Sequence, residues 1–165
     1  MKTKVLLVCF FFCTVLTLSA QTAAELDRIL ESEAVSVGLA ARFAMGAVGL
    51  LPEGLSGVAA ETAAYEAASS EGWVRGDRGE AITLQDTAFL LMNVFELKGG
   101  IMYTLFRNPR YAYREMIYHR LIQGRSYSNM EVSGTIFLQI LGRTLNYTGE
   151  RERMDAMLAA SEAFR

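Results

Sequence analysis

The stretch Trp73-Val74-Arg75-Gly76, followed after a polar loop by Ile82-Thr83, decides the fold because its pattern occurs again later in the chain. The second copy reads Leu121-Ile122-Gln123-Gly124, a loop, and Val132-Ser133. Trp73 and Leu121 are 48 residues apart and Ile82 and Val132 are 50 apart, so the second loop is two residues longer. A repeat of this length predicts one supersecondary unit per copy, with the units burying their apolar faces against one another.

A shorter third copy lies upstream, where Ile29-Leu30-Glu31-Ser32 runs almost directly into Val35-Ser36. In each copy a hydroxyl residue opens an apolar run with helical periodicity, which is the pattern of a helix N-cap: Ser36, Thr83 and Ser133. Gly76 and Gly124 stand before the loops, and we expect each to end the first helix of its unit in the left-handed conformation.

Helix signals continue through the rest of the chain, and no strand pattern exceeds a few residues. Asn108-Pro109 is a strong helix start, and Thr148 is a candidate cap for a last helix. We therefore predict an all-α fold in a single domain of residues 21–165. It is a helical repeat domain of three degenerate helix-loop-helix units, at about 23–51, 57–98 and 109–146, followed by a C-terminal helix at 149–164.

The first twenty residues have the layout of a secretory signal peptide. Lys2 and Lys4 precede an apolar stretch, Val5 to Leu18, and small residues lead to Ala20. The apolar stretch is shorter than the roughly 20 residues that a membrane-spanning helix needs. We expect residues 1–20 to be removed and the exported chain to start at Gln21.

The predicted mature chain is acidic and contains no cysteine, since Cys9 and Cys13 both lie in the signal segment. It has 14 Lys and Arg against 18 Asp and Glu, a balance of −4, and Lys98 is its only lysine. Such a chain is a poor candidate for nucleic-acid binding. A small exported domain without disulfides favours a bacterial envelope protein. No mature segment has the composition of a membrane span.

The two better copies share a helix that closes on two apolar residues, any residue and glycine, then a loop, then Ile/Val-Thr/Ser at the head of the next helix. This arrangement resembles the surface-layer homology (SLH) repeats. The resemblance is clearest at 67–76 with 82–88, looser at 111–145, and looser still at 24–49. It implies three repeats around a pseudo-threefold helical core, with envelope polysaccharide bound non-covalently in grooves between repeats.

SLH repeats open their second helix with Thr-Arg-Ala-Glu, whose arginine helps to hold an anionic glycan. The matching segments here are Thr83-Leu84-Gln85-Asp86, Ser133-Gly134-Thr135-Ile136 and Ser36-Val37-Gly38-Leu39. The hydroxyl is kept in all three, the acid only as Asp86, and the arginine in none. The kept hydroxyls favour the scaffold, whereas the missing arginine favours a protein–protein adaptor that has lost glycan binding.

The arginine-rich segment 107–125 is the strongest candidate for a binding surface. It holds five arginines with Glu115 as the only acid, and tyrosines are interleaved with them. On a helix, positions 110, 114 and 118 share one face. Guanidinium groups beside aromatic rings suit acidic sugars, carboxylates or phosphates, and the plainer alternative is a solvated charged face. The ligand-binding candidates are Arg110, Arg114, Tyr118, Arg125 and Tyr111.

Weaker ligand-binding candidates are Trp73, Arg75, Thr83 and Asp86. Trp73 is either a core residue at the turn or a platform for a sugar ring. His119, the only histidine, has no recognisable partner in the sequence and suits a packing role. Glu61 lies on an alanine-rich helix whose charged residues we expect to face solvent.

The sequence carries no motif for catalysis. It lacks a mature cysteine, a histidine pair for a metal, a phosphate-binding loop and a nucleophile elbow. We therefore expect a non-catalytic bacterial protein without cofactor or metal, exported to the periplasm or cell surface. The expected partner is a cell-wall polysaccharide (peptidoglycan or an acidic glycan) or an envelope protein, and peripheral membrane contact stays open. The alternatives are a periplasmic protein–protein adaptor, and a cell-wall hydrolase or its inhibitor.

Overall fold

The computed structural model describes residues 24–52, 54–124 and 126–163. The expected signal peptide (1–20) and Arg125 lie outside the described residues. The predicted all-α class is confirmed, because the described part is helical and its only β-type pairings are two isolated bridges. The helices of this part are α1 (24–30), α2 (Val37–Ala47), α3 (Gly57–Ser70), α4 (Leu84–Val94), α5 (Ile101–Phe106), α6 (Pro109–Tyr118) and α7 (Gly134–Ala163).

Three of the predicted helix starts are confirmed by their capping hydrogen bonds. The Ser36 hydroxyl accepts from the Leu39 amide at 3.2 Å, and the Thr83 hydroxyl accepts from the Asp86 amide at 3.3 Å. The Asn108 side chain accepts from the Tyr111 amide at 3.1 Å, with Pro109 as the first helical residue. Each cap satisfies a backbone donor that has no partner inside its helix.

The left-handed conformation predicted for Gly76 and Gly124 is confirmed, but neither glycine ends a helix. Helix α3 ends at Ser70 and is closed by Gly72 at φ 70°, while α6 ends at Tyr118 and is closed by Arg120 at φ 57°. In both, the next amide donates back to the last turn, Trp73 to Ala68 and Leu121 to Met116, each at 2.8 Å. This is the Schellman closure. Gly76 and Gly124 also have positive φ, but they lie in the loops that follow.

Three buried residues from the three loops are joined in a ring of backbone hydrogen bonds at the centre of the molecule. The Val35 amide donates to Val132 at 2.8 Å, the Val132 amide to Ile82 at 3.2 Å, and the Ile82 amide to Val35 at 2.8 Å. The loops would otherwise bury unpaired backbone groups, so the ring satisfies them without forming a sheet.

The helix that follows each of these three loops also begins with a backbone hydrogen bond to one of the other two loops. The amide of Val37 donates to Glu80, that of Leu84 to Met130 and that of Gly134 to Ser32, all at 2.8–2.9 Å. These helices, α2, α4 and α7, contact one another pairwise around the core, and α3 packs on α2 as α6 packs on α4.

Helix α7 corrects the prediction of a separate C-terminal helix at 149–164. It runs without a break from Gly134 to Ala163. The Thr148 hydroxyl does not cap a new helix, because it donates to the Thr144 carbonyl one turn earlier, at 3.0 Å. Helix α5 was not predicted at all. No helix within the described ranges is both long enough and apolar enough to cross a membrane.

Candidate functional site

The predicted arginine face lies on α6. Arg110, Arg114 and Tyr118 are all exposed and follow one another at intervals of four residues. Tyr111 is half-buried and stacks on Phe106 of α5, with ring centroids 5.7 Å apart and an interplanar angle of 27°. The structure therefore brings four of the five main candidates to the side of the molecule where α5 meets α6.

A groove of about 660 Å³ separates the start of α5 from α6 on this side. Arg114, Tyr111 and Tyr118 line it, together with the apolar Ile101 and Met102. Glu115 also lines it, but this acid is half-buried and lies 4.0 Å from His119. The groove is therefore apolar on the α5 side and cationic at its edge.

The weaker candidates Thr83 and Asp86 have structural roles. Their side chains are hydrogen-bonded to each other, and Thr83 caps α4 as described above. Such a pair closes the end of a helix, which is sufficient to explain both residues. Arg75 is exposed, and its guanidinium lies 6.0 Å from the ring centroid of Phe89. It does not line any of the cavities described here.

Trp73, the fourth weaker candidate, lines a cleft of about 830 Å³. This Trp73 cleft lies where the turn after α3 faces the end of α4 and the α5 helix. Trp73 is half-buried and also packs against the core, so the two interpretations of this residue are compatible. The lining residues are Glu71, Trp73, Asn93, Glu96, Leu97, Lys98, Gly99, Tyr103, Thr104 and Arg107.

Tyr103 is the unusual residue of the cleft. Its side chain is only 3% exposed, and its hydroxyl finds no hydrogen-bond partner among the described protein groups. Asn93 lies beside it, but the Asn93 amide nitrogen donates to the Phe89 carbonyl at 2.7 Å. A buried hydroxyl without a partner costs free energy, and such groups in native proteins call for an explanation.

Burial raises the pKa of Tyr103, and the Arg107 charge opposes the rise, as does the Asn93 side chain, which lies near the hydroxyl without meeting it in hydrogen-bond geometry. Tyr103, Asn93 and Arg107 all line the cleft, and the Tyr103 hydroxyl is itself buried. The phenol is therefore neutral at physiological pH and able to donate one hydrogen bond and accept others.

Gly99 makes room for the Tyr103 ring. A Cβ at position 99 would lie 2.5 Å from the ring and 2.7 Å from the Cβ of Tyr103. The glycine before α5 therefore lets the helix turn back closely enough for Tyr103 to enter the core. Two cations, Lys98 and Arg107, and two acids, Glu71 and Glu96, surround the opening.

Sequence reasoning missed Tyr103 and Asn93, and it treated Arg107 only as the start of the arginine-rich segment. The one local signal was Gly99-Gly100, a helix breaker that also allows close approach of side chains. One other expectation is corrected: Glu61 is buried and paired with Arg28 at 3.4 Å. The packing role expected for His119 agrees with the structure, where its half-buried ring bonds the Tyr147 hydroxyl at 3.2 Å.

Comparisons of the chain with models of known protein families, with curated proteins and with solved structures find no match in any of the three. The chemistry of this protein is therefore inferred from its residues and their geometry.

Proposed function

We propose that this protein is an exported, non-catalytic bacterial module that binds a carboxylate-bearing cell-envelope glycan, such as peptidoglycan, in the Trp73 cleft. One observation carries the proposal: a buried phenol with no partner among the described protein groups belongs to a residue of the same cleft as the only tryptophan of the chain. A polar group that folding leaves unpaired is suited to bond a ligand instead.

The chemistry of the cleft supports a sugar ligand. The Trp73 indole offers an apolar face on which a sugar ring can pack. Arg107 and Lys98 offer donors for a carboxylate, and the arginine fork matches carboxylate geometry with paired hydrogen bonds. Glu71 and Glu96 can accept from hydroxyl or amide groups. Glycans with both acidic and amide groups, as in peptidoglycan, match this mixed set.

We also propose that the scaffold consists of three degenerate SLH-like units. The ring through Val35, Ile82 and Val132 supports this organisation, because the sequence repeat sets those three positions in register. The matching Schellman ends after α3 and α6, 48 residues apart, support it as well. In this arrangement the cleft lies outside the positions that carry the family's repeat arginine.

The fluorescence of Trp73 tests the proposal, because it is the only tryptophan and it lines the cleft. Titration with soluble peptidoglycan fragments should give a saturable change in its emission. Arg107→Gln should weaken binding about tenfold or more, since a hydrogen bond to a charged group contributes about 1.5–3 kcal/mol.

Arg75→Gln is the matched control, since Arg75 is exposed and outside the cleft. It should bind like the parent. An unchanged affinity for Arg107→Gln, or an emission that does not respond to the fragments, would show that the cleft is not the glycan site.

A further inference from the structure

Helix α5 presents an apolar face to solvent. Four of its six residues are large, apolar and exposed, and Ile101 and Leu105 reach 78% and 69% exposure. Met102 and Phe106 are the other two, and all four lie within one side of the helix. Tyr103 is the only buried residue of α5. We call Ile101, Met102, Leu105 and Phe106 the α5 face.

Cations outnumber acids around the α5 face, although Glu115 also lines the groove beside Ile101 and Met102. Between Glu96 and Glu115 the chain carries four cations and no acid: Lys98, Arg107, Arg110 and Arg114. Arg110 and Arg114 are exposed on α6, and Arg114 lines the groove beside Ile101 and Met102. Tyr118, an amphipathic side chain that is 80% exposed, lines the same groove. The surrounding charge contrasts with the −4 balance of the predicted mature chain.

We propose that the α5 face docks on the surface of an anionic phospholipid bilayer. An apolar protrusion with a mainly cationic surround matches a leaflet, which offers an apolar interior beneath a continuous layer of negative charge. Six helical residues extend about 9 Å, so α5 lies in the interface and does not span the bilayer. Arginine and tyrosine at the edge suit the headgroup region.

Flotation with lipid vesicles tests the proposal. The protein without its signal segment should bind vesicles of equal parts phosphatidylglycerol and phosphatidylcholine, and bind pure phosphatidylcholine far more weakly. Ile101→Ser with Leu105→Ser should reduce binding by about tenfold or more, because two buried apolar side chains are lost. Val58→Ser with Met157→Ser is the matched control: these residues are 61% and 73% exposed but lie on α3 and α7. It should bind like the parent.

Changes at the arginines separate a bilayer from a ligand that needs guanidinium geometry. Arg110→Lys with Arg114→Lys should retain vesicle binding, because attraction to a charged surface depends on the number of charges. Arg110→Gln with Arg114→Gln should lower it on the order of tenfold and make it less sensitive to salt. Loss of binding in the lysine variant would overturn the proposal in favour of a bidentate anionic ligand.

Three further results would overturn it. The first is equal binding to zwitterionic and anionic vesicles, and the second is unchanged binding after Ile101→Ser with Leu105→Ser. The third is a parent protein that does not bind vesicles but forms a dimer, which the same double change dissociates. Circular dichroism checks that each variant folds, which exposed substitutions should permit. Because Ile101 and Leu105 do not line the Trp73 cleft, Trp73 titration with peptidoglycan fragments should be unaffected, so the glycan and lipid proposals fail or stand separately.

Discussion

Replacing Tyr103 with phenylalanine should raise stability and lower ligand affinity, two effects of opposite sign from the loss of one oxygen. Tyr103 is 3% exposed, and its hydroxyl is buried without a hydrogen-bond partner among the described protein groups. An unsatisfied buried polar group costs about 1–3 kcal/mol, so its removal should leave the free energy of unfolding unchanged or raise it by up to that amount.

The effect on binding should go the other way. If the hydroxyl donates to a neutral group of the glycan, its loss costs about 1 kcal/mol, roughly a fivefold increase in Kd. If it bonds a carboxylate, the cost is about 1.5–3 kcal/mol, roughly tenfold to more than a hundredfold. Fluorescence of Trp73 reports the affinity, and urea unfolding followed by circular dichroism reports the stability.

Tyr113→Phe is the control for this experiment, because it removes the same atom from a hydroxyl that has a partner. Tyr113 donates to the Ser126 carbonyl at 3.1 Å. Its loss should lower the free energy of unfolding by about 1 kcal/mol and leave glycan affinity unchanged. A Tyr103→Phe variant that is destabilised like Tyr113→Phe and binds like the parent would refute the reasoning, since its hydroxyl would then be a structural group.

Four further predictions follow from the same geometry. Burial raises the pKa of the Tyr103 phenol, so as the pH rises the unfolded chain loses this proton before the folded chain does. The free energy of unfolding should therefore fall above about pH 10, and it should fall less steeply in Tyr103→Phe. Urea melts at a series of pH values measure this. Gly134→Ala should destabilise the protein by about 1–3 kcal/mol, because the new Cβ would lie 1.5 Å from a backbone oxygen of α1. Gly142→Ala is the matched control in thermal melts. A Cβ there meets no atom within 4 Å, so this change should stabilise the protein by about 0.5–1 kcal/mol. Arg120→Gly should leave stability unchanged or raise it by up to about 1 kcal/mol, since φ is 57° there; a clear loss in denaturant melts would show that the Arg120 side chain contributes contacts. Intact-mass measurement of protein from the envelope fraction should give a chain that starts at Gln21, and full-length chains there would contradict the signal-peptide prediction.

The sequence predicted the helix starts far better than the helix ends, and the difference has a physical cause. A cap such as Ser36, Thr83 or Asn108 acts within three residues, so its chemistry is visible locally. An end is set by where packing stops. Arg120 and Glu96 adopt positive φ without being glycine, and the residues that follow them, buried Leu121 and half-buried Leu97, pack against the core. Local propensity therefore singled out Gly76 and Gly124 and not the closing residues Gly72 and Arg120.

The arginine stripe was predictable because it lies on one helix, where spacing fixes the face. The Trp73 cleft was not, because its residues come from the turn after α3, the end of α4, the segment that follows it and one side of α5. Tyr103 gave no signal of burial in a segment where most neighbours are exposed. Glu61 was misassigned for the related reason that its partner, Arg28, is 33 residues away in sequence.

Helix α5 links the two proposals, because one side of it lines the Trp73 cleft and the other side belongs to the α5 face. Tyr103, Thr104 and the capping Arg107 line the cleft, whereas Ile101 and Met102 line the groove toward α6. A bilayer at the α5 face would therefore hold the cleft close to the lipid surface, where the most membrane-proximal part of the envelope glycan lies. Any effect of vesicles on glycan affinity must then equal the effect of glycan on vesicle affinity. Measuring both distinguishes a coupled pair of sites from two sites that merely share a helix.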